Sequence, residues 1–149
     1  SKDKPEYIKH IISVPSEVEF IGKLNNFVKE NHFDFKWMFS KIDESIDKIN
    51  IPYFSTETND YRNFIPDFMF WIEKKDCYEI VFIDPKGTSH SDYENKIDGY
   101  KELFEDKDFS FGGKKIKTKL LLVPTDINNV NGEMYKEYWM DEINKIFSL

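Results

Sequence analysis

Three charged residues interrupt a stretch that otherwise reads as two apolar strands: Asp67 in "NFIPDFMFWI", then Asp84 and Lys86 in "YEIVFIDPKG". A carboxylate at the end of a strand apolar on both faces has to be neutralised, paired or bound to a cation. Sixteen residues separate the two aspartates. That is the length of two strands and a tight turn, and an antiparallel hairpin sets the start of one strand beside the end of the next. By strand alternation Asp84 and Lys86 point the same way and Pro85 points opposite. Two carboxylates side by side repel and drive one pKa upward unless a cation lies between them. Mg²⁺ suits the gap, because it takes oxygen ligands, needs few protein carboxylates and keeps waters for chemistry. Lys86 can then hold an attacking water or stabilise charge growing on a phosphate. Such a set suits hydrolysis of a phosphodiester bond.

The elements that must position this set follow from periodicity. Residues Tyr7 to Val14 suggest a short strand or an extended lead-in. A helix start follows, with Pro15, Ser16 as cap and Glu17 and Glu19 in the first turn. Glu17, Phe20, Ile21, Leu24 and Val28 recur at helical spacing, so Glu17 heads the inward stripe as a candidate third acid, and Glu19 points elsewhere. "FDFKWMFSKI" predicts a strand, "DESIDKIN" a polar helical turn or loop, and "IPYF" an extended piece. After the turn-rich "STETNDYRN", strands are expected over 64–72 and 78–84, joined at "EKKD". "SDYENKIDGYKELFED" predicts an amphipathic helix, Gly112 and Gly113 a turn, and "KIKTKLLLVPTD" a strand buried at Leu120–Val123. "GEMYKEYWMDEINKIFSL" predicts a closing helix. One mixed sheet flanked by helices buries all of these, and the last strand, reached through a helical crossover, runs parallel to a central one. The fold class is α/β in a single domain, 1–149.

"IPD" at 65–67 with "IDPKG" at 83–87 resembles the signature of the PD-(D/E)xK, or restriction-endonuclease-like, nucleases. The likeness spans roughly residues 15–124 and implies their αβββαβ core. It implies that Asp67 and Asp84 bind the metal, that the carbonyl of Pro85 is a further ligand, and that Lys86 is catalytic. Glu17 in "SEVEF" is the best match to the helical glutamate often found near the start of that fold. "F-x-PDF … IDPKG" is also similar to the C-terminal nuclease domain of type III restriction subunits and helicase-fused defence proteins. The expected activity is Mg²⁺-dependent cleavage of DNA, with Mn²⁺ able to substitute. Expected partners are DNA and a fused or associated helicase or translocase and methyltransferase. A different class of function, the same fold without catalysis, would make the chain a DNA-binding or docking module of a helicase-containing protein.

Composition bounds these readings. In 149 residues, 40% hydrophobic and 33% charged side chains describe a globular domain with one core. The net charge of −7 argues against a stand-alone nucleic-acid binder held by a broad basic surface, so bulk affinity is expected from an attached domain or partner. No apolar run is long enough to cross a bilayer, and no membrane partner is expected. The single cysteine, Cys77, excludes an internal disulfide and suits a reducing cytoplasm. The chain starts at Ser1 and not at a methionine, which fits one domain of a larger protein. His10, His32 and His90 lack metal-cluster spacing, although His90 is near enough to Lys86 in sequence to reach a substrate phosphate. Lys115, Lys117 and Lys119 put three ammonium groups on one strand face, either a solvated edge or a DNA-backbone contact. Lys96, within "ENKIDGY", either faces the active centre from its helix or is an ordinary surface charge, with the surface charge favoured. Trp37, Trp71 and Trp139 read as packing residues.

Overall fold

The computed structural model describes residues 15–42, 50–85, 93–123 and 133–147. The expected strand over Tyr7–Val14, most of the "DESIDKIN" turn, and Lys86, Gly87 and His90 lie outside the described residues. Two compact units divide the chain after His32.

The first unit contains helix α1, Pro15–Glu30. It begins one residue ahead of the expected cap Ser16, with a proline in the first turn where no intrahelical donor is needed. Phe20, Ile21 and Leu24 are buried, and Glu17 shares their stripe at 2% exposure. Glu19 faces outward and pairs with Lys23 at 3.2 Å. The first-turn acids therefore separate into an inward and an outward group, as the periodicity requires.

The second unit is α/β, built on a mixed sheet. Its strands are β1 (Lys36–Lys41), β4 (Phe68–Glu73), β5 (Cys77–Asp84), β6 (Phe109–Phe111) and β7 (Lys114–Leu122), in the order β1-β4-β5-β7-β6. The β1/β4 and β4/β5 pairs are antiparallel. The β5/β7 pair is parallel, joined through helix α2 (Tyr93–Phe104). Strands β2 (Ile51–Ser55) and β3 (Asp60–Phe64) form a separate antiparallel hairpin. No helix among the described residues is long and apolar enough to cross a membrane.

Three expectations need correcting. Residues 64–72 are not one strand: β3 ends at Phe64, Pro66 has no amide hydrogen for a ladder, and β4 starts at Phe68. The turn-rich "STETNDYRN" contains strand β3, four of whose five residues are exposed, so it carries no apolar alternation. Its turn closes on Asn59 with φ 53°, a left-handed conformation that asparagine tolerates. The closing segment is not one helix. A 3₁₀ stretch, Glu133–Tyr138, gives way to a bridge between Trp139 and Leu122, where the Met140 amide donates to the Leu122 carbonyl at 2.9 Å. Only a single turn, α3 (Asn144–Phe147), follows. Extending the end of β7 satisfies a ladder carbonyl that a continuous helix would leave open. Gly112 and Gly113 (φ 59° and 79°) make the expected turn, but as the tight connection of a β6/β7 hairpin.

The sheet faces differ in their cover. On one face Phe82, Leu120, Leu122 and Ile42 join Ile97 and Tyr100 of α2 and Ile51, Tyr53 and Phe64 of the hairpin. On the other, Phe70 contacts Trp37, Phe39 and Phe147 with ring centroids 5.3–6.0 Å apart. Helix α2 meets the hairpin backbone to backbone at Gly99, where an added Cβ would stand 2.5 Å from the Pro52 carbonyl oxygen and 2.6 Å from Tyr53 Cβ. Gly99→Ala is therefore expected to lower unfolding free energy by about 1–3 kcal/mol. Gly22→Ala, in open space on α1, should raise it by roughly 0.5–1 kcal/mol. Chemical denaturation of the two variants checks the opposite signs.

Tyr100 is 2% exposed and its hydroxyl donates to Thr118 Oγ1 at 2.9 Å. Burial raises its pKa from 10.0 to about 12. Below pH 10 folded and unfolded chains both keep the proton and the stabilisation is complete. From there to about pH 12 the unfolded chain loses it first, so stability falls as pH rises. Tyr100→Phe should flatten that alkaline fall in a denaturation series, although it sacrifices the hydrogen bond.

Candidate active site

Strand β5 ends in Val81, Phe82, Ile83 and Asp84, all at most 7% exposed. Alternation puts Phe82 and Asp84 on the face covered by α2 and the hairpin. The Asp84 carbonyl accepts from the Val123 amide at 3.0 Å, continuing the parallel ladder with β7. Thus the backbone of Asp84 is held as sheet on its β7 side.

Asp67 follows the buried Pro66 and is half-buried. Its carbonyl accepts from the Ile42 amide at 2.8 Å, which carries the β1/β4 register one residue beyond Lys41 opposite Phe68. The β4/β5 register ends at Phe68 opposite Ile83, so its next position sets Asp67 opposite Asp84. Directly opposed residues share a face, with Cβ atoms about 4.5–5.5 Å apart. Among the described residues no group of three or more His, Cys, Asp or Glu side chains is gathered to hold a metal ion. Continued by one position, the register would set these two carboxylates side by side, with the buried Pro85 next in the chain.

Beside Asp84 opens a cleft of about 520 Å³, walled by the inner face of the hairpin and by α2. Glu57, Arg62 and Phe64 line it from the hairpin, and Lys96 from α2. The Lys96 Nζ stands 5.0 Å from the centroid of the buried Phe64 ring. Lys96 is the residue of "ENKIDGY" that the sequence offered as facing the centre while favouring a surface charge, and it lines the cleft; Arg62 was not a candidate from the sequence. For Lys96 the signal was present: it lies three residues after Tyr93 and four before Tyr100, on the flank of the inward stripe. Arg62 was hidden because β3 itself was not foreseen.

Lys115, Lys117 and Lys119 do share a face, but not that of Asp84. The register sets them against Cys77, Glu79 and Val81, and Lys119 reaches the Lys145 carbonyl at 3.1 Å. Burial lowers the Lys119 pKa. Nor is β7 an open edge along its first three residues, where β6 pairs with it. Glu17 is buried on α1. Trp37 packs on Phe70, and Trp71 on Tyr78 with ring centroids 4.9 Å apart.

The sequence model of the YagJ family matches residues 8–142. The chain belongs to the YagJ family. That match takes in the carboxylate pair, α2, the hairpin and the cleft of this YagJ-family chain. No curated protein and no solved structure matches it.

Opposed carboxylates are energetically coupled whether or not a cation lies between them. In chelator, a double-mutant cycle on Asp67→Asn and Asp84→Asn is expected to give an interaction energy on the order of 1 kcal/mol, read by denaturation. Additive effects would mean that the side chains diverge.

Proposed function

We propose that this chain is a metal-dependent nuclease of the PD-(D/E)xK type, hydrolysing DNA phosphodiester bonds with Mg²⁺. The observation that carries the reading is the β4/β5 register, whose continuation opposes Asp67 and Asp84 on one sheet face. The order of elements supports it as well. A helix, three strands paired antiparallel in the order β1-β4-β5, a crossover helix and a parallel strand follow the αβββαβ succession that the motif implies, with the β2/β3 hairpin inserted after the first strand.

The donor set fits a hard divalent cation. Asp84 is nearly enclosed, and the oxygen donors of two neighbouring carboxylates and a carbonyl match what a hard divalent cation takes. Asp67, Asp84 and the Pro85 carbonyl would hold the ion. When bound, Mg²⁺ polarises the scissile phosphate and lowers the pKa of a coordinated water. The chain's own share is positional. Asp67 and Asp84 fix the site at the end of a rigid sheet, and Lys86, two residues beyond Asp84, holds the attacking water and balances charge growing on the phosphate. With a net charge of −7, the domain relies on an attached or associated translocase for bulk affinity, as in a restriction or DNA-defence system.

Cleavage of labelled DNA in Mg²⁺ should be abolished by Asp84→Ala and by Lys86→Ala, with thermal unfolding showing both variants folded. Mn²⁺ should support cleavage by the wild type. Equal cleavage by all three proteins would reject the assignment. DNA binding with no cleavage and no metal-dependent rise in melting temperature would instead identify a binding module.

A further inference from the structure

We infer that Arg62 and Lys96 form a phosphate grip, holding a backbone phosphodiester of the substrate in the cleft beside Asp84; this rests on the nuclease reading. The two cations come from different elements and line one cleft with Asp84. Arg62 pairs with Tyr53 in the hairpin register and so lies on its inner side, the side of the buried Tyr53 and Phe64. Lys96 is half-buried, with its ammonium against the face of Phe64. Among the described residues neither cation forms an ion pair.

The fold holds the grip in shape. Gly99, one turn along α2 from Lys96, lets the hairpin backbone pack directly on the helix. Asn95 Nδ2 donates to Thr56 Oγ1 at 3.0 Å near the hairpin turn. The ring of Phe64 attracts the Lys96 ammonium and restricts where it rests. Arg62 offers a planar fork of donors and Lys96 a point charge, a combination matched to the non-bridging oxygens of a phosphodiester. A phosphate held there would stand beside Asp84, where the proposed metal is bound. The grip therefore positions the reacting group, and its cations bind substrate without moving a proton.

The test uses the full chain and a labelled DNA oligonucleotide. Binding is measured in chelator across a salt series, and cleavage separately in Mg²⁺. Arg62→Gln and Lys96→Gln should each weaken binding several-fold and reduce the slope of log K against log salt by about 0.7–0.9, the double variant by about twice that. Lys96→Arg should restore the slope. In cleavage, KM should rise more than kcat falls for each single variant, with the melting temperature unchanged. If both variants keep the wild-type slope, affinity and KM while the wild type cleaves DNA, the grip is overturned and the nuclease reading stands. If the wild type neither binds nor cleaves, the nuclease reading fails and takes the grip with it. If inorganic phosphate binds the wild type and the Gln variants equally, the cleft is not the anion site.

Discussion

The pairing register of β4 with β5 is the constraint on which the site depends. A strand has a side-chain period of two, so sliding one strand by a single residue would send its whole set of side chains to the opposite face. Phe68, Phe70 and Ile72 are fully buried on one face, and Val81 and Ile83 lie with them. That packing is what forbids the slip: sliding β4 would carry three large apolar side chains, Phe68, Phe70 and Ile72, off their buried face, each contributing roughly 1.5–3 kcal/mol when buried there. Asp67 and Asp84 inherit their opposition from this apolar registration. The charged pair itself, mutually repulsive, has no tendency to produce it.

The two faces of the sheet divide their labour accordingly. Trp37, Phe39, Phe70 and Phe147 make one face a packed aromatic layer that fixes the register. The other face supports α2 and the β2/β3 hairpin, and its cover ends where Asp84 meets the cleft. Lys119 shows the consequence. It projects toward the first face, is partly desolvated there and donates to the Lys145 carbonyl, so it contributes to anchoring the C-terminal turn. The stripe of three lysines is real as a stripe, but a phosphate bound beside Asp84 lies across the thickness of the sheet from it.

How much of this was legible in the sequence depended on whether burial or pairing set the local structure. The inward stripe of α1, the apolar strands β4 and β5, the crossover through α2 and the buried Leu120–Leu122 run are written in apolar spacing, although β4 begins only at Phe68, just after Asp67. Strand β3 is written in hydrogen bonds to β2, with only Phe64 buried, and no periodicity marks it. The break at Trp139 is likewise a pairing event, set by a carbonyl on β7 that no reading of the closing segment alone contains. The candidate site divides in the same way. Its carboxylates flank the ends of periodic strands, Asp67 just before β4 and Asp84 at the end of β5, and were visible, whereas Arg62 lies on the strand that periodicity missed.

The hairpin is what turns the end of an open sheet into a cleft. Without β2 and β3 the face at Asp84 would border solvent beyond α2, where two exposed carboxylates would interact through water with little effect on each other or on a ligand. With the hairpin seated on α2 at Gly99, that end gains a second wall carrying Arg62 and Glu57, and the cleft holds charges of both signs within one partly enclosed volume of about 520 Å³. Low local dielectric strengthens attraction to a correctly placed anion and equally strengthens repulsion from the acids. Such a cleft holds a polyanion through Arg62 and Lys96, and more tightly when a cation screens the aspartates. On the nuclease reading, metal and phosphate therefore strengthen each other's binding, while the net negative charge of the domain weakens the hold on anions that lack those two contacts.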